Sequence, residues 1–359
     1  MDNFAFIIHP IEPKKDVARK FKLFGCLPSS VIDYFCLFFP PVHISHITGI
    51  RSITGREIEG WFVACPLTPT RMMQVPTKVA YRKIVQTGEL AERLGAKILG
   101  LGAFTSVVGD AGITISKHLS IPVTTGNSYT VAVAVEAIRE AARQMEIALS
   151  EAKAAVVGAT GAVGSVCAQL LARDVAEMVL VGRRLPRLEQ VMARVQAVGG
   201  AHVSLATKIG AIEDADLIIT VTSATETIIE PHHLKPGAVV LDVARPRDVS
   251  RQVVEERKDV LVIEGGMVEV PGSVDFGFDF GFPPKMAYAC MAEVMTLALE
   301  GRYESYTLGQ DITVEQVEEI ASLAAKHGFR LGGFRSFERA VTGEEVESVK
   351  ENARRRMGH

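Results

Sequence analysis

Cysteine is scarce and scattered in this chain. Its five thiols, Cys26, Cys36, Cys65, Cys167 and Cys290, are odd in number and form no Cys-x-x-Cys pair or Cys/His group. That excludes a disulfide framework and a cysteine-based zinc site, leaves no metal expected, and points to a reducing, cytoplasmic setting. Long apolar runs are missing as well: none approaches the roughly 20 residues of a membrane-spanning helix, and Met1-Asp2-Asn3-Phe4 has no basic leader. The formal net charge is only −3, so nothing in the overall charge points to nucleic acid. Internal repeats and low-complexity tracts are absent. What remains is an apolar, ordered composition: 48% hydrophobic residues over 359 positions, with a mean hydropathy of +0.21. A chain of this length can hold two or three domains with substantial cores.

The pattern along the chain is α/β. In residues 1–150, Phe4–Ile8 reads as a strand and Arg51–Cys65 as a hairpin turning at Thr54-Gly55. Thr77–Leu94 carries a helical period stopped by Gly95, Lys97–Gly102 is a strand, and a long helix runs from about Tyr129 to Met145. In residues 151–283, five short β-rich runs alternate with helical stretches: Ala154–Val157, Met178–Val181, Leu217–Thr220, Val239–Val243 and Val260–Ile263. That alternation predicts a Rossmann-like, doubly wound parallel sheet. Residues 284–359 read as C-terminal helices: Lys285–Leu299 after Pro283-Pro284, Val314–His327, and a charged tail from Gly343. The expected organisation is an N-terminal α/β substrate domain, a dinucleotide domain, and a helical segment packing back on both. The apolar run Tyr34–Pro41 reads as core, as a pocket wall, or as an interfacial patch.

The most informative segment is Val156–Gly164. After a strand come Gly158, Thr160, Gly161, Ala162, Val163 and Gly164, in the order a pyrophosphate needs: glycines for close backbone approach, then a helix N-terminus. The spacing is G-x-x-G-x-x-G, and a glycine triplet alone is a weak signal. Its context strengthens it, because the next strand ends at Arg183-Arg184 rather than at the acidic residue that would hold a ribose 2′-hydroxyl. Two cations there suit a 2′-phosphate, so NADPH is the expected cofactor. Ligands of such sheets lie over the carboxyl ends of the strands. Thr222, Ser223, Gly265 and Gly266 are therefore further cofactor candidates, beside Ala244-Arg245-Pro246.

No compact Lys–Asp, Tyr–Lys or His–Asp pair announces alcohol chemistry. One thiol stands out, Cys290 in Tyr288-Ala289-Cys290-Met291-Ala292-Glu293, set about two turns into the expected helix, where the dipole is weak. A thiol can carry an acyl group as a thioester that a hydride then reduces. A cysteine in an apolar helix also reads as a small buried hydrophobe. Residues alone leave both readings open.

Several further segments bear on the choice: Ser52–Gly60, Leu101–Ser106, Thr124-Thr125-Gly126-Asn127, Gly158–Ser165, Glu264–Glu269, Tyr288–Glu293 and Lys326–Phe329. Spread over residues 50–329, they resemble the cyanobacterial long-chain acyl-[acyl-carrier-protein] reductases, which form fatty aldehydes with NADPH. The resemblance implies that Cys290 is the acylated nucleophile. It further implies a fatty acyl thioester as substrate, on acyl carrier protein or coenzyme A, and an aldehyde-consuming enzyme as possible partner. Where that family has a histidine this chain has Tyr129, so Ser128 and Tyr129, with backbone amides near Gly126, are the candidates to hold an oxyanion. The first 45 or so residues and the stretch from Gly332 to His359 fall outside the resemblance. An acidic carrier would dock on basic residues, for which Arg71, Lys78, Arg82 and Lys83 are candidates. Alternatives are an NADP-dependent dehydrogenase of a small hydroxy acid, similar to shikimate dehydrogenases, and a protein that binds NADP without turning it over.

Overall fold

A computed structural model describes residues 2–10, 13–224 and 226–358. The chain forms two compact units that are not consecutive stretches of sequence. The first comprises residues 1–129, 268–311 and 319–330; the second comprises 130–267, 312–318 and 331–359.

The first unit is built on a mixed six-stranded sheet. Its strands are β1 (Asp2–Ile8), β2 (Val42–Arg51), β3 (Glu57–Ala64), β4 (Leu99–Leu101) and β5 (Val123–Thr124), with Gly272–Asp275 added at the β2 edge. β1 lies centrally and runs parallel to β3 and β4; β2 and β3 are antiparallel. Strand period puts alternate side chains of β1 on opposite faces. Ala5 and Ile7 join Ile84 and Ala91 of the helix Thr77–Arg93, whereas Phe6 lies with Val294 of the helix Ala289–Glu300 against Gly100. Both faces are covered, which is why Phe4-Ala5-Phe6-Ile7 is an unbroken apolar run. The hairpin is longer than the sequence pattern indicated, since β2 begins at Val42, and it turns at Gly55 with φ +89°.

The second unit is a parallel six-stranded sheet: β6 (Lys153–Val157), β7 (Glu177–Val181), β8 (His202–Ala206), β9 (Leu217–Thr220), β10 (Val239–Asp242) and β11 (Leu261–Glu264). The order β11-β10-β9-β6-β7-β8 is the doubly wound Rossmann order, with its switch point between β6 and β9. All five pairings are parallel. The edge strand β8 goes unnoticed in the sequence because its residues are only partly buried and polar ones interrupt it. Helices Ala162–Leu171 and Leu185–Val198 pack onto one side of this sheet through Val166, Leu170, Leu188, Val191 and Val195.

Candidate active site

Cys290 is differently placed from the sequence expectation. Lys285 has φ +66°, Met286–Tyr288 form a short strand, and the helix begins only at Ala289 with Tyr288 as N-cap. Proline does not open it. Cys290 is therefore the second helical residue, within the first turn, where unpaired N–H groups and the positive end of the dipole favour an anion. Every residue of the helix Ala289–Glu300 is buried except its last, Glu300, and Cys290 itself. An otherwise submerged apolar helix thus leaves its one thiol reachable.

The other thiols divide sharply. Burial pushes Cys36 and Cys65 up to about 11 each, and Cys167 up to about 12, so all three stay protonated and inert near neutral pH. Cys26 is exposed.

Gly126 is the residue against Cys290. Its φ is +77°, and a Cβ built on it would lie 2.3 Å from the Cys290 Cβ and 2.4 Å from the Cα. No side chain fits there. A second helix, Asn127–Gln144, begins at the following residue, so two helix N-termini meet at one sulfur-bearing residue.

Glu293, one helical turn beyond Cys290, holds this loop in place. It is fully buried. Its Oε1 accepts from the hydroxyls of Thr124 and Thr307, the latter at 3.0 Å. Its Oε2 accepts from the Ser128 hydroxyl at 2.6 Å and the Tyr129 backbone N–H at 2.9 Å. Thr125 donates to the Thr307 carbonyl through both its N–H and its hydroxyl. A buried carboxylate is retained only when such donors replace its hydration. Ser128 is itself fully buried, its hydroxyl engaged by Glu293 and Thr307, and the Tyr129 side chain is buried too. The Ser128 hydroxyl is thus committed to the loop's own scaffold, which Tyr129 joins through its backbone N–H.

A file of aromatic rings ends at the same helix. Phe62 stacks on Phe276, Phe276 meets Phe280 edge-on at 5.0 Å, and Phe280 stacks on Phe282 at 5.4 Å. Phe282 then packs on Tyr288 at 4.3 Å.

Two of the other shared segments converge at the far end of this helix. His327, itself buried, links Ser52 Oγ (2.9 Å from Nδ1) to Glu300 (2.9 Å from Nε2), and Ile53 N–H donates to the His327 carbonyl. The order serine–histidine–carboxylate resembles a hydrolytic triad, but Ser52 is buried and its oxygen also receives the Thr54 N–H. It anchors the β2–β3 turn. Of the four basic residues singled out for docking, Arg71 is paired with Asp33 at 2.5 Å and Lys83 donates to the Phe39 carbonyl; Lys78 and Arg82 are exposed.

In the second unit, the glycine loop has the shape a dinucleotide needs. Gly158 has φ +84°, and a Cβ there would lie 2.5 Å from the Val221 carbonyl oxygen; one on Gly164 would lie 2.5 Å from the Gly158 oxygen. Gly158 and Ala159 both donate to the Val181 carbonyl. The helix Ala162–Leu171 has no side-chain cap, and its first intrahelical bond runs from Ser165 N–H to Gly161. The N–H groups of Ala162, Val163 and Gly164 precede that bond and suit a diphosphate. The buried Ser165 hydroxyl in the same turn has no protein partner. Thr160 lies against Gly182, and Arg183 and Arg184 follow it, exposed, at the end of β7. These residues fit a nicotinamide dinucleotide.

Beyond β9, Asp248 accepts from the Thr220 hydroxyl and from both the N–H and hydroxyl of Thr222, fixing that loop. Ser223, beside it, is exposed. Beyond β11, Glu264 is shifted below its ordinary range: its burial is outweighed by the guanidinium groups of Arg245 and Arg247. Asp242, under the Ala244–Val249 loop, is raised to about 7 by burial. The glycine pair after β11 is required by space, since a Cβ on Gly265 would meet Val243, and Gly266 has φ +83°.

With this geometry in view, the comparisons with known proteins are informative. Residues 139–264 match the family model "Shikimate / quinate 5-dehydrogenase". The chain is 30% identical over 306 residues to the long-chain acyl-[acyl-carrier-protein] reductase of Synechococcus elongatus, covering 81% of this chain and 87% of that one. The chain belongs to that reductase's family. Family membership and the parallel sheet make it an oxidoreductase with a Rossmann-type domain for a nicotinamide cofactor. This chain is also 30% identical over 304 residues to aminotransferase PigE of a Serratia species. The match spans 84% of this chain but 36% of that longer protein. Glutamyl-tRNA reductase of a Cyanothece species is 27% identical over 169 residues, 45% of this chain and 39% of that one.

Glu293 and its threonine partners escaped the sequence reading. The available signal was a glutamate inside an apolar helix, three residues from a cysteine and hence on its face.

Proposed function

We propose that this reductase converts a fatty acyl thioester, delivered on acyl carrier protein or coenzyme A, to the aldehyde at the expense of NADPH. The observation that carries the reading is Cys290 itself: the reachable thiol of a buried helix, in its first turn, with a second helix starting just after the glycine packed against it.

The Cys290 thiolate attacks the acyl carbonyl, the carrier sulfur leaves and takes up a proton, and the acyl group stays on Cys290 as a thioester. When bound, NADPH supplies the hydride for the carbonyl carbon of that thioester. The resulting thiohemiacetal collapses, releasing aldehyde and returning the thiolate. The two helix N-termini favour negative charge at the sulfur and at the carbonyl oxygen. Glu293 acts as a positioning residue: by gathering Thr124, Ser128, Tyr129 and Thr307 it keeps Gly126 against the Cβ and backbone of Cys290. The rings from Phe276 to Tyr288 offer an apolar surface for the acyl chain beside the cysteine. Lys78 and Arg82 remain the cations for an acidic carrier, and an enzyme that consumes the aldehyde would remove the product.

The match to shikimate dehydrogenases covers residues 139–264, all of which lie in the unit that holds the parallel sheet, and carries no substrate information. The deciding assay follows NADPH oxidation and aldehyde formation with palmitoyl thioesters, with shikimate and NADP as the competing pair. Aldehyde formation is expected from the thioester alone; shikimate-dependent NADP reduction without aldehyde would overturn the reading.

Arg183 and Arg184 set the choice of cofactor. Exchanging both for alanine is expected to raise the NADPH dissociation constant by at least about tenfold and leave that for NADH nearly unchanged, because each charged hydrogen bond to a phosphate is worth about 1.5–3 kcal/mol. Fluorescence titration measures both. Equal losses for the two cofactors would remove the arginines from phosphate recognition.

A further inference from the structure

Between β1 and β2 the chain makes an excursion that the sheet does not require. It contains helix Pro13–Lys20, a 3-10 turn at Lys22–Cys26 and helix Ser29–Cys36, ending at Pro40-Pro41. One side of the second helix is anchored inward. Ile32 and Cys36, four residues apart, are buried, Asp33 accepts from Thr68 and Arg71, and the Phe39 carbonyl accepts from Lys83.

The outer side is unlike an ordinary protein surface. Leu23 is 89% exposed and Phe38 69%, and Phe21, Tyr34, Phe35 and Phe39 are exposed with them. Tyr34 contacts both Phe35 and Phe38 edge-on, at 6.0 and 5.6 Å, so these rings form a cluster. Charge accompanies it. Residues 13–41 contain five basic side chains against two acidic ones, a net +3 within a chain of net −3. Both acids are ion-paired, Asp16 to Arg19 and Asp33 to Arg71; Lys14, Lys15 and Lys22 are exposed, and Lys20, also at the surface, donates to the Ile44 carbonyl. An exposed aromatic cluster with a lysine fringe is the chemistry of an interfacial element. The rings enter the headgroup–acyl boundary and the ammonium groups meet lipid phosphates.

We propose that residues 13–41 form a docking surface for an anionic lipid bilayer. Docking here is peripheral: among the described residues no helix is long and apolar enough to cross a membrane. The proposal does not rest on the acyl-thioester reading, since it concerns a surface and not the reaction, although a long-chain aldehyde would leave such an enzyme directly into lipid.

The test is flotation of the full chain with vesicles of phosphatidylcholine alone and of phosphatidylcholine and phosphatidylglycerol in equal parts. The protein is expected to float with the anionic vesicles, and less so as salt is raised. A Leu23→Ser/Phe38→Ser variant is expected to lower the floated fraction by about tenfold or more, and Lys14→Glu/Lys22→Glu to remove the preference for anionic lipid. NADPH binding in the second unit and an unchanged melting temperature serve as controls that the variants are folded. Protein that stays with the aqueous phase in both vesicle types overturns the proposal, as does flotation that the variants leave unaltered. Loss of carrier-dependent activity in the serine variant without any vesicle binding would overturn it too, by assigning the surface to the carrier.

Discussion

Replacing Cys290 with alanine is expected to lower acyl-thioester reduction by about 10⁴-fold or more, the scale on which removal of a covalent nucleophile acts. The fold is expected to survive, because alanine at this partly buried helical position removes one sulfur and keeps the helix. Incubation with an acyl donor and no NADPH should add one acyl group to the parent protein by intact mass and none to Cys290→Ala. The assignment is clean because Cys36, Cys65 and Cys167 are buried, protonated thiols. In a Cys26→Ser background, iodoacetamide is therefore expected to modify Cys290 alone, and prior acylation to block it. Full activity in Cys290→Ala, or acylation at another residue, would dismiss the mechanism.

Gly126→Ala is expected to be nearly as damaging, although no reactive group is lost. Two costs combine. Alanine at φ +77° carries about 1–2 kcal/mol of backbone strain, and its Cβ would sit 2.3 Å from that of Cys290, so loop or helix must shift. The loop cannot yield freely: before Gly126 it is tied to Thr307 through Thr125, and after it to Glu293 through Ser128 and Tyr129. A displacement of about 1 Å at a reacting group costs about 10²-fold, so kcat for thioester reduction is expected to fall by at least that factor. The dissociation constant for NADPH, whose proposed site lies in the other unit, should stay within about twofold. Unchanged kcat would show that the close packing at Cys290 has no part in the reaction; a matching loss of NADPH binding would show a general folding defect instead.

Much of the cofactor half was legible because its determinants are local. Gly158, Gly164 and the strand before them form one continuous segment whose conformation follows from glycine's freedom and the alternation of β and helical periods. Five of six strands could be read directly; the sixth, His202–Ala206, lies at an edge where burial no longer imposes an apolar pattern. The reaction half was far less legible. The start of the cysteine's helix was misjudged because Pro283-Pro284 looks like a helix opening, whereas the positive φ of Lys285 and the strand Met286–Tyr288 postpone the first turn by four residues. Ser128 read as an oxyanion donor because a hydroxyl's partner, here a carboxylate 165 residues away, is invisible in sequence.

By itself, then, the sequence determined the parallel dinucleotide domain, the arginines at its second strand, the absence of cysteine clusters, and the family to which the chain belongs. These follow from short-range rules of spacing and composition. Only the tertiary structure decided that Cys290 lies in a first helical turn, that Gly126 leaves the room for it, and that Glu293 gathers four distant donors around the loop. The last two depend on contacts of the Thr124–Tyr129 segment with residues more than a hundred positions away, which only chain packing brings together.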